Sequence, residues 1–139
     1  MKKQRPDADE MPCPCGKQPA YADCCGALHA GAAAPTAEAL MRSRYSAYVL
    51  ALAPYLLDTW HASTRPARLD LAGDEKSQWL GLEIKRHEAT EADKAIVEFV
   101  ARYKTAGRAH RLHETSRFVR EAGRWYYIDG EFPKKTAAP

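Results

Sequence analysis

Residues 96–104 read Ile96-Val97-Glu98-Phe99-Val100-Ala101-Arg102-Tyr103-Lys104, a run rich in β-branched and aromatic residues. It reads as a strand, and a period of two places Val97, Phe99, Ala101 and Tyr103 on one of its faces. Downstream, Leu112 to Arg120 alternates too, putting Leu112, Glu114, Ser116 and Phe118 together, and Trp125 to Ile128 is short and aromatic. Upstream, Leu80, Leu82 and Ile84 alternate with polar neighbours. Thr105-Ala106-Gly107 and Ala122-Gly123 are turn signals between strands. Four strands joined in this way form an antiparallel meander.

The chain ahead of the meander has a helical period. Thr36 suits a helix N-cap, and Glu38 lies near the positive end of the helix. Leu40, Tyr45, Tyr48 and Leu52 recur at steps of three to five, giving one apolar stripe over residues 37–52. Pro54 starts a short second helix through Tyr55, Leu56 and Leu57, ending near Thr59-Trp60-His61. Residues 62–74 are irregular, and Lys76 to Trp79 is expected to add a helical turn. Helices followed by a meander predict an α+β fold, with the helices on one face of a curved sheet of about four strands.

The chain has 139 residues, enough for one ordinary domain and a small appendage. Hydrophobic residues make up 45% and charged residues 28%, which excludes a disordered chain. No apolar run approaches the ~20 residues that span a bilayer, and the start has no apolar core like that of a secretory signal. The expected location is therefore cytoplasmic, with no membrane partner. Residues 101–139 hold nine basic and four acidic groups, yet the whole chain is only +3. Charge alone does not argue for nucleic acid.

All four cysteines fall in Pro12-Cys13-Pro14-Cys15-Gly16-Lys17-Gln18-Pro19-Ala20-Tyr21-Ala22-Asp23-Cys24-Cys25-Gly26. Such clustering in a reducing compartment favours a metal over disulfides, a redox pair or a persulfide site. Structural zinc takes four ligands in a tetrahedron. Pro14 stiffens the Cys-x-Cys turn, Gly16 permits the bend that follows, and Cys24-Cys25 supplies the second pair. The expected ligands are Cys13, Cys15, Cys24 and Cys25, with His29 the alternative fourth ligand. Four thiolates would leave no open position, so the zinc would be structural. Bound zinc with four thiolates adds −2 and brings the net charge to +1. The expected organisation is a tail over 1–11, a zinc knuckle over 12–30, a linker over 30–35 and the α+β domain over 36–134. The linker suggests that the domain folds without the knuckle.

Cys13-Pro14-Cys15-Gly16, Lys17, Tyr21 and Cys24-Cys25-Gly26 resemble the SEC-C motif, the zinc knuckle also found at the C-terminus of the SecA translocase motor. The segment at 17–20 departs from that motif's Ser-Gly-Lys order. The resemblance extends to the bacterial YchJ family through Leu40-Met41-Arg42-Ser43-Arg44-Tyr45-Ser46-Ala47-Tyr48 and Thr59-Trp60-His61. Val97 to Tyr103, Leu112 to Phe118 and Trp125 to Gly130 carry it further. It implies an NTF2-like cone, with helices folded over a curved sheet around a pocket. Some members carry a second cysteine knuckle after the last strand, which this sequence lacks.

In such a cone Glu114 and Ser116 would stand among aromatics, and a buried carboxylate needs a partner. Arg42, Arg44, His61 and the hydroxyls of Tyr45 and Tyr48 are the candidates. Arg42 and Arg44 leave the helix in different directions, so at most one points inward. Three functions compete. The first is an adaptor that contacts a protein or the ribosome through the knuckle, with the cone as scaffold or small-molecule pocket. The second is a small isomerase-, dehydratase- or cyclase-like enzyme using His61 and Glu114. The third, weaker one is RNA binding through Arg102, Lys104, Arg111 and Arg117. The chain has no phosphate loop, so it is no translocase motor.

Overall fold

The structure, a computed structural model, describes residues 12–16, 20–69 and 77–131. The tail at 1–11, the motif departure at 17–19 and the end of the domain beyond 131 lie outside the described residues. The element order is a 3-10 turn Tyr21–Asp23, α1 Cys25–His29, α2 Ala37–Val49, α3 Ala53–Asp58, then β1 Ser77–Glu91, β2 Lys94–Thr105, β3 Arg108–Glu121 and β4 Arg124–Glu131. The strands form one antiparallel sheet in sequence order, β1-β2-β3-β4. This is the α+β arrangement expected from the periodicities. No helix among the described residues is long and apolar enough to cross a membrane.

Register builds rows across the concave face. Phe99 lies opposite Ile84 and Glu114, and Ala101 opposite Leu82 and Leu112. Val97 meets Ser116, and Ala95 meets Phe118. Ala106-Gly107 and Ala122-Gly123 turn the hairpins with φ positive at both central residues, the mirror-image turn whose twist matches paired strands.

Two expectations about β1 need correction. The helical turn foreseen at its start is absent from the described part, because Ser77 to Trp79 already pair with β2. Leu80 does not share a face with Leu82 and Ile84. The register slips between Trp79 and Gly81, so Leu80 is the extra residue of a bulge and is 49% exposed. One inserted residue breaks the alternation, and Trp79 packs against the core in its place.

Helix α2 begins as predicted, with the Thr36 hydroxyl accepting from the Ala39 N–H at 3.0 Å. It is buried on more than one stripe. Leu40, Met41 and Tyr45 join the core, while Ser43, Ser46 and Ala47 are buried as well. The cause is a second layer, since the N-terminal knuckle covers part of the helix that the sheet does not. Cys13, Cys15, Cys25 and Leu28 belong to the same apolar cluster as Leu40, Tyr45, Phe99 and Phe118. The segment read as a free linker is partly packed, with Ala34 buried. After α3, residues 59–61 run beside β4: the Tyr127 N–H donates to the Thr59 carbonyl at 2.8 Å and the His61 N–H to the Tyr127 carbonyl at 2.7 Å.

Candidate metal centre and sheet cavity

Pro12 bridges to Ala20, closing a small loop that presents Cys13 and Cys15, and the turn into α1 presents Cys24 and Cys25. Gly16 closes the first turn, donating its N–H to the Cys13 carbonyl at 3.0 Å with φ at +89°, a conformation that favours glycine. The four Sγ atoms lie within 4.8 Å of one another, and those of Cys15 and Cys24 are 3.7 Å apart. A tetrahedron with metal–sulfur bonds of ~2.3 Å has edges of about 3.8 Å, so the spacing fits one metal ion.

Burial, then the hydrogen bond with the Cys15 sulfur, push the Cys24 thiol up to about 11. The hydrogen bond with Cys15, then burial, raise Cys25 further, while the Ser46 hydroxyl pulls it the other way. The Cys24 and Cys25 thiols therefore resist ionisation on their own, and a divalent cation held by them would offset that resistance.

His29 stands outside the sulfur cluster. The Tyr21 hydroxyl donates to its Nδ1 at 2.6 Å, and its Nε2–H donates to the Ser43 carbonyl at 2.9 Å. The ring is a strut between the knuckle and α2. Two further links join the same pair of layers. Arg42 donates to the Cys15 carbonyl at 3.1 Å, and Ser46 Oγ lies 3.7 Å from Cys13 Sγ. Arg42, expected in solvent or on Glu114, instead holds the knuckle and the Glu38 carboxylate. Sequence reasoning passed over Ser43 and Ser46. Their spacing of three puts two small polar side chains on one helix face, which is the available signal that another element approaches closely there.

On the other side of α2 lies a cavity of about 240 Å³, walled by Tyr45, Tyr48, Trp79 and Phe99. Glu114 and Arg44 both line it. Glu114 faces the helices as expected, but is only partly buried. Its Oε2 accepts from Ser116 Oγ at 2.9 Å and from the Tyr127 hydroxyl at 3.4 Å. Gly130 leaves room for this carboxylate, since a Cβ there would overlap Glu114 Oε2. Burial first, and Glu114 next, raise the Tyr127 hydroxyl above its ordinary value.

Arg44 is the inward arginine, only 3% exposed. Its Nη1 donates to the Leu56 carbonyl at 2.8 Å and to Thr59 Oγ1 at 2.7 Å, near the C-terminal end of α3. Its guanidinium carbon sits 4.5 Å from the centre of the Tyr127 ring and 5.1 Å from that of Trp60. The direct Arg44–Glu114 pair considered from the sequence is not formed. Arg44 is anchored by oxygens of α3 and held between two rings instead.

The structure does not bring His61 to Glu114. The His61 Nε2–H donates to Glu121 Oε2 at 2.8 Å, and Nδ1 accepts from the Ser63 N–H at 3.1 Å. Tyr126 and Tyr127 leave β4 on opposite faces, and His61 stands near Tyr126 with ring centres 6.1 Å apart. Among the described residues the cavity wall contains no histidine. The four arginines and lysines considered for RNA are exposed. Arg117 is neutralised by Asp129 through two bonds of 2.8 and 2.7 Å, and Arg102 faces Arg111 across β2 and β3.

Comparison with known proteins places this geometry. A family model described as the YchJ middle NTF2-like domain matches residues 36–130. A UPF0225 protein of Methylibium petroleiphilum is 59% identical over 136 residues, covering 95% of this chain and 98% of the relative. One of Bordetella parapertussis is 57% identical over 132 residues, covering 92% and 98%. The solution structure of a SEC-C motif containing protein from Rhodopseudomonas palustris is 36% identical, with a TM-score of 0.77 over 88% of this chain and 98% of that one. The crystal structure of a SEC-C motif containing protein from Psychrobacter arcticus is 34% identical, with a TM-score of 0.71 over 88% and 81%.

Proposed function

The chain belongs to the UPF0225 family, whose central part is the YchJ NTF2-like domain, and from that premise we propose a zinc-stabilised binding protein whose knuckle contacts a macromolecular partner in the cytoplasm. One observation carries the reading: the knuckle's sulfurs lie in the same buried cluster as α2 and the sheet. A metal there fixes one rigid surface instead of a loose tether. Four thiolates in a tetrahedron suit zinc, and they leave no open position for a catalytic water. A groove of about 380 Å³ runs beside the site, lined by Cys24, Ala27, Leu28, Thr36, Glu38 and Arg42. It is mostly apolar with charged edges, the character of a small protein-docking site. The partner is a protein, free or on the ribosome.

Lysate capture tests this with three baits: the zinc-loaded chain, the chelated chain, and Ala27→Arg, which fills the groove. The proposal expects a discrete protein or ribosomal fraction on the first bait that is lost from both others. Equal capture by all three, or capture abolished by nuclease on ribosome-free lysate, contradicts it, and the latter outcome would favour RNA.

A second reading concerns the cavity under α2, an open pocket whose wall includes both Arg44 and Glu114 without a direct bond between them. That separation favours a small-molecule site over a purely structural ion pair, and it does so without the His61 that the enzyme alternative relied on.

A further inference from the structure

Arg44 is a buried cation with an incomplete set of partners. Its Nη1 is engaged by Leu56 and Thr59, and its planar face by Tyr127 and Trp60. Among the described residues no carboxylate forms an ion pair with it, and the hydrogen bonds it makes to them run from Nη1. Burying a charge without an opposite one is costly. Glu114 is the complementary case: both hydrogen bonds it accepts from described residues fall on Oε2. The two groups line one cavity and remain apart. The cavity thus holds a +1 and a −1 group, separated by space and walled by aromatic rings.

Building on the reading of this cavity as a small-molecule site, we infer that it binds a dipolar molecule of zero net charge, of the class of an α-amino acid with an apolar or aromatic side chain. The ligand's carboxylate meets the Arg44 guanidinium, its ammonium meets Glu114, and its side chain packs on Trp79 and Phe99. Charge balance selects this class. A simple anion would satisfy Arg44 and face the repulsion of Glu114, and a simple cation would meet the reverse. A zwitterion satisfies both while keeping the cavity neutral. Arginine's fork suits a planar carboxylate. The volume lies just below the ~300–1,000 Å³ of pockets for drug-sized ligands, which restricts the guest to a single ring or a short branched chain.

The test uses the full zinc-loaded chain, with zinc content measured in every sample so that failure of the knuckle is seen separately from failure of the cavity. L-phenylalanine, 3-phenylpropionate and 2-phenylethylamine are titrated by ligand-observed NMR. The expected result is saturable binding of L-phenylalanine, with each singly charged analogue about tenfold weaker or more, the worth of one charge-assisted contact. Glu114→Gln, which keeps the side chain's shape, should weaken L-phenylalanine by a similar factor and should not weaken 3-phenylpropionate. No saturable binding of L-phenylalanine by zinc-replete protein overturns the inference. So does equal binding of all three probes, or an unchanged affinity in Glu114→Gln.

Discussion

The knuckle and the cavity lie on two sides of one helix and handle charge in opposite ways. Toward the knuckle, α2 offers the Ser43 carbonyl to His29 and the Ser46 hydroxyl to Cys13, beside a cluster of four thiols. Toward the sheet it offers Arg44 and Tyr48 to a cavity where opposite charges are kept apart. The first arrangement is sized for a small guest, a single metal ion. The second leaves room for a larger dipolar guest and stays open. Because α2 is shared, loss of the metal site should be felt across the fold, more strongly than any single change in the cavity.

The sharpest way to break this comparison is Cys25→Ser. It should abolish tight zinc binding and destabilise the whole chain, not the knuckle alone, by more than about 4 kcal/mol, because loss of a metal also opens the shared core. Metal content and urea unfolding followed by tryptophan fluorescence measure both effects. If unfolding of the sheet is unchanged, the knuckle and cone are independent, as the sequence first suggested.

Within the cavity, Arg44→Ala should cost about 3 kcal/mol, since it strips the Leu56 carbonyl and Thr59 of a charged donor and leaves a void. Glu114→Gln should cost less than about 1 kcal/mol, because Ser116 and Tyr127 can still donate to the amide oxygen. Thermal unfolding of the two variants compares them directly. Equal losses would reveal a tightly coupled pair and a structural cavity.

The strut should give a smaller effect still. His29→Gln should lose about 1 kcal/mol, for the bonds to Tyr21 and Ser43, while keeping one zinc per chain. Burial is the first cause that lowers the His29 pKa, with the Ser43 carbonyl opposing it. The folded state therefore binds the proton less readily than the unfolded chain, whose histidine titrates near ~6.5. The strut's contribution is complete above that pH and declines as pH falls from there through the lowered folded value. The stability difference between wild type and His29→Gln, measured from pH 8 to 5.5, should shrink on acidification. Growth of the difference would mean that the folded ring prefers its charge.

The smallest effect belongs to the sheet alone. Ala122 has φ at 52° in its hairpin turn. Asn tolerates that region better, so Ala122→Asn should raise stability by about 0.5 kcal/mol in urea unfolding without altering zinc content.

The same contrast explains what was readable from the amino acids. The metal site is local: its four cysteines fall between positions 13 and 25, and their spacing alone brings them together. The inward face of β3, with Glu114 and Ser116, followed from alternation because β3 has no bulge within that stretch. The cavity's other groups come from α2, β1, β2 and β4, and no local pattern records which distant side chain meets which. Hence His61 was paired with Glu114 on residue type, while the fold carries it to Glu121. Leu80 was misassigned because a bulge leaves no mark in hydrophobic alternation. That at most one of Arg42 and Arg44 points inward was readable, but not that it is Arg44 or that the end of α3 clasps it, since that contact depends on how the chain turns after Val49.

X-ray absorption at the zinc edge of the purified, zinc-loaded protein bears most directly on the claim that a four-thiolate centre binds the knuckle to the cone. The account predicts one zinc per chain with four sulfur neighbours at about 2.3 Å and no nitrogen or oxygen shell. Three sulfurs with one nitrogen, a bound oxygen, or absence of zinc after zinc-supplemented expression would contradict it.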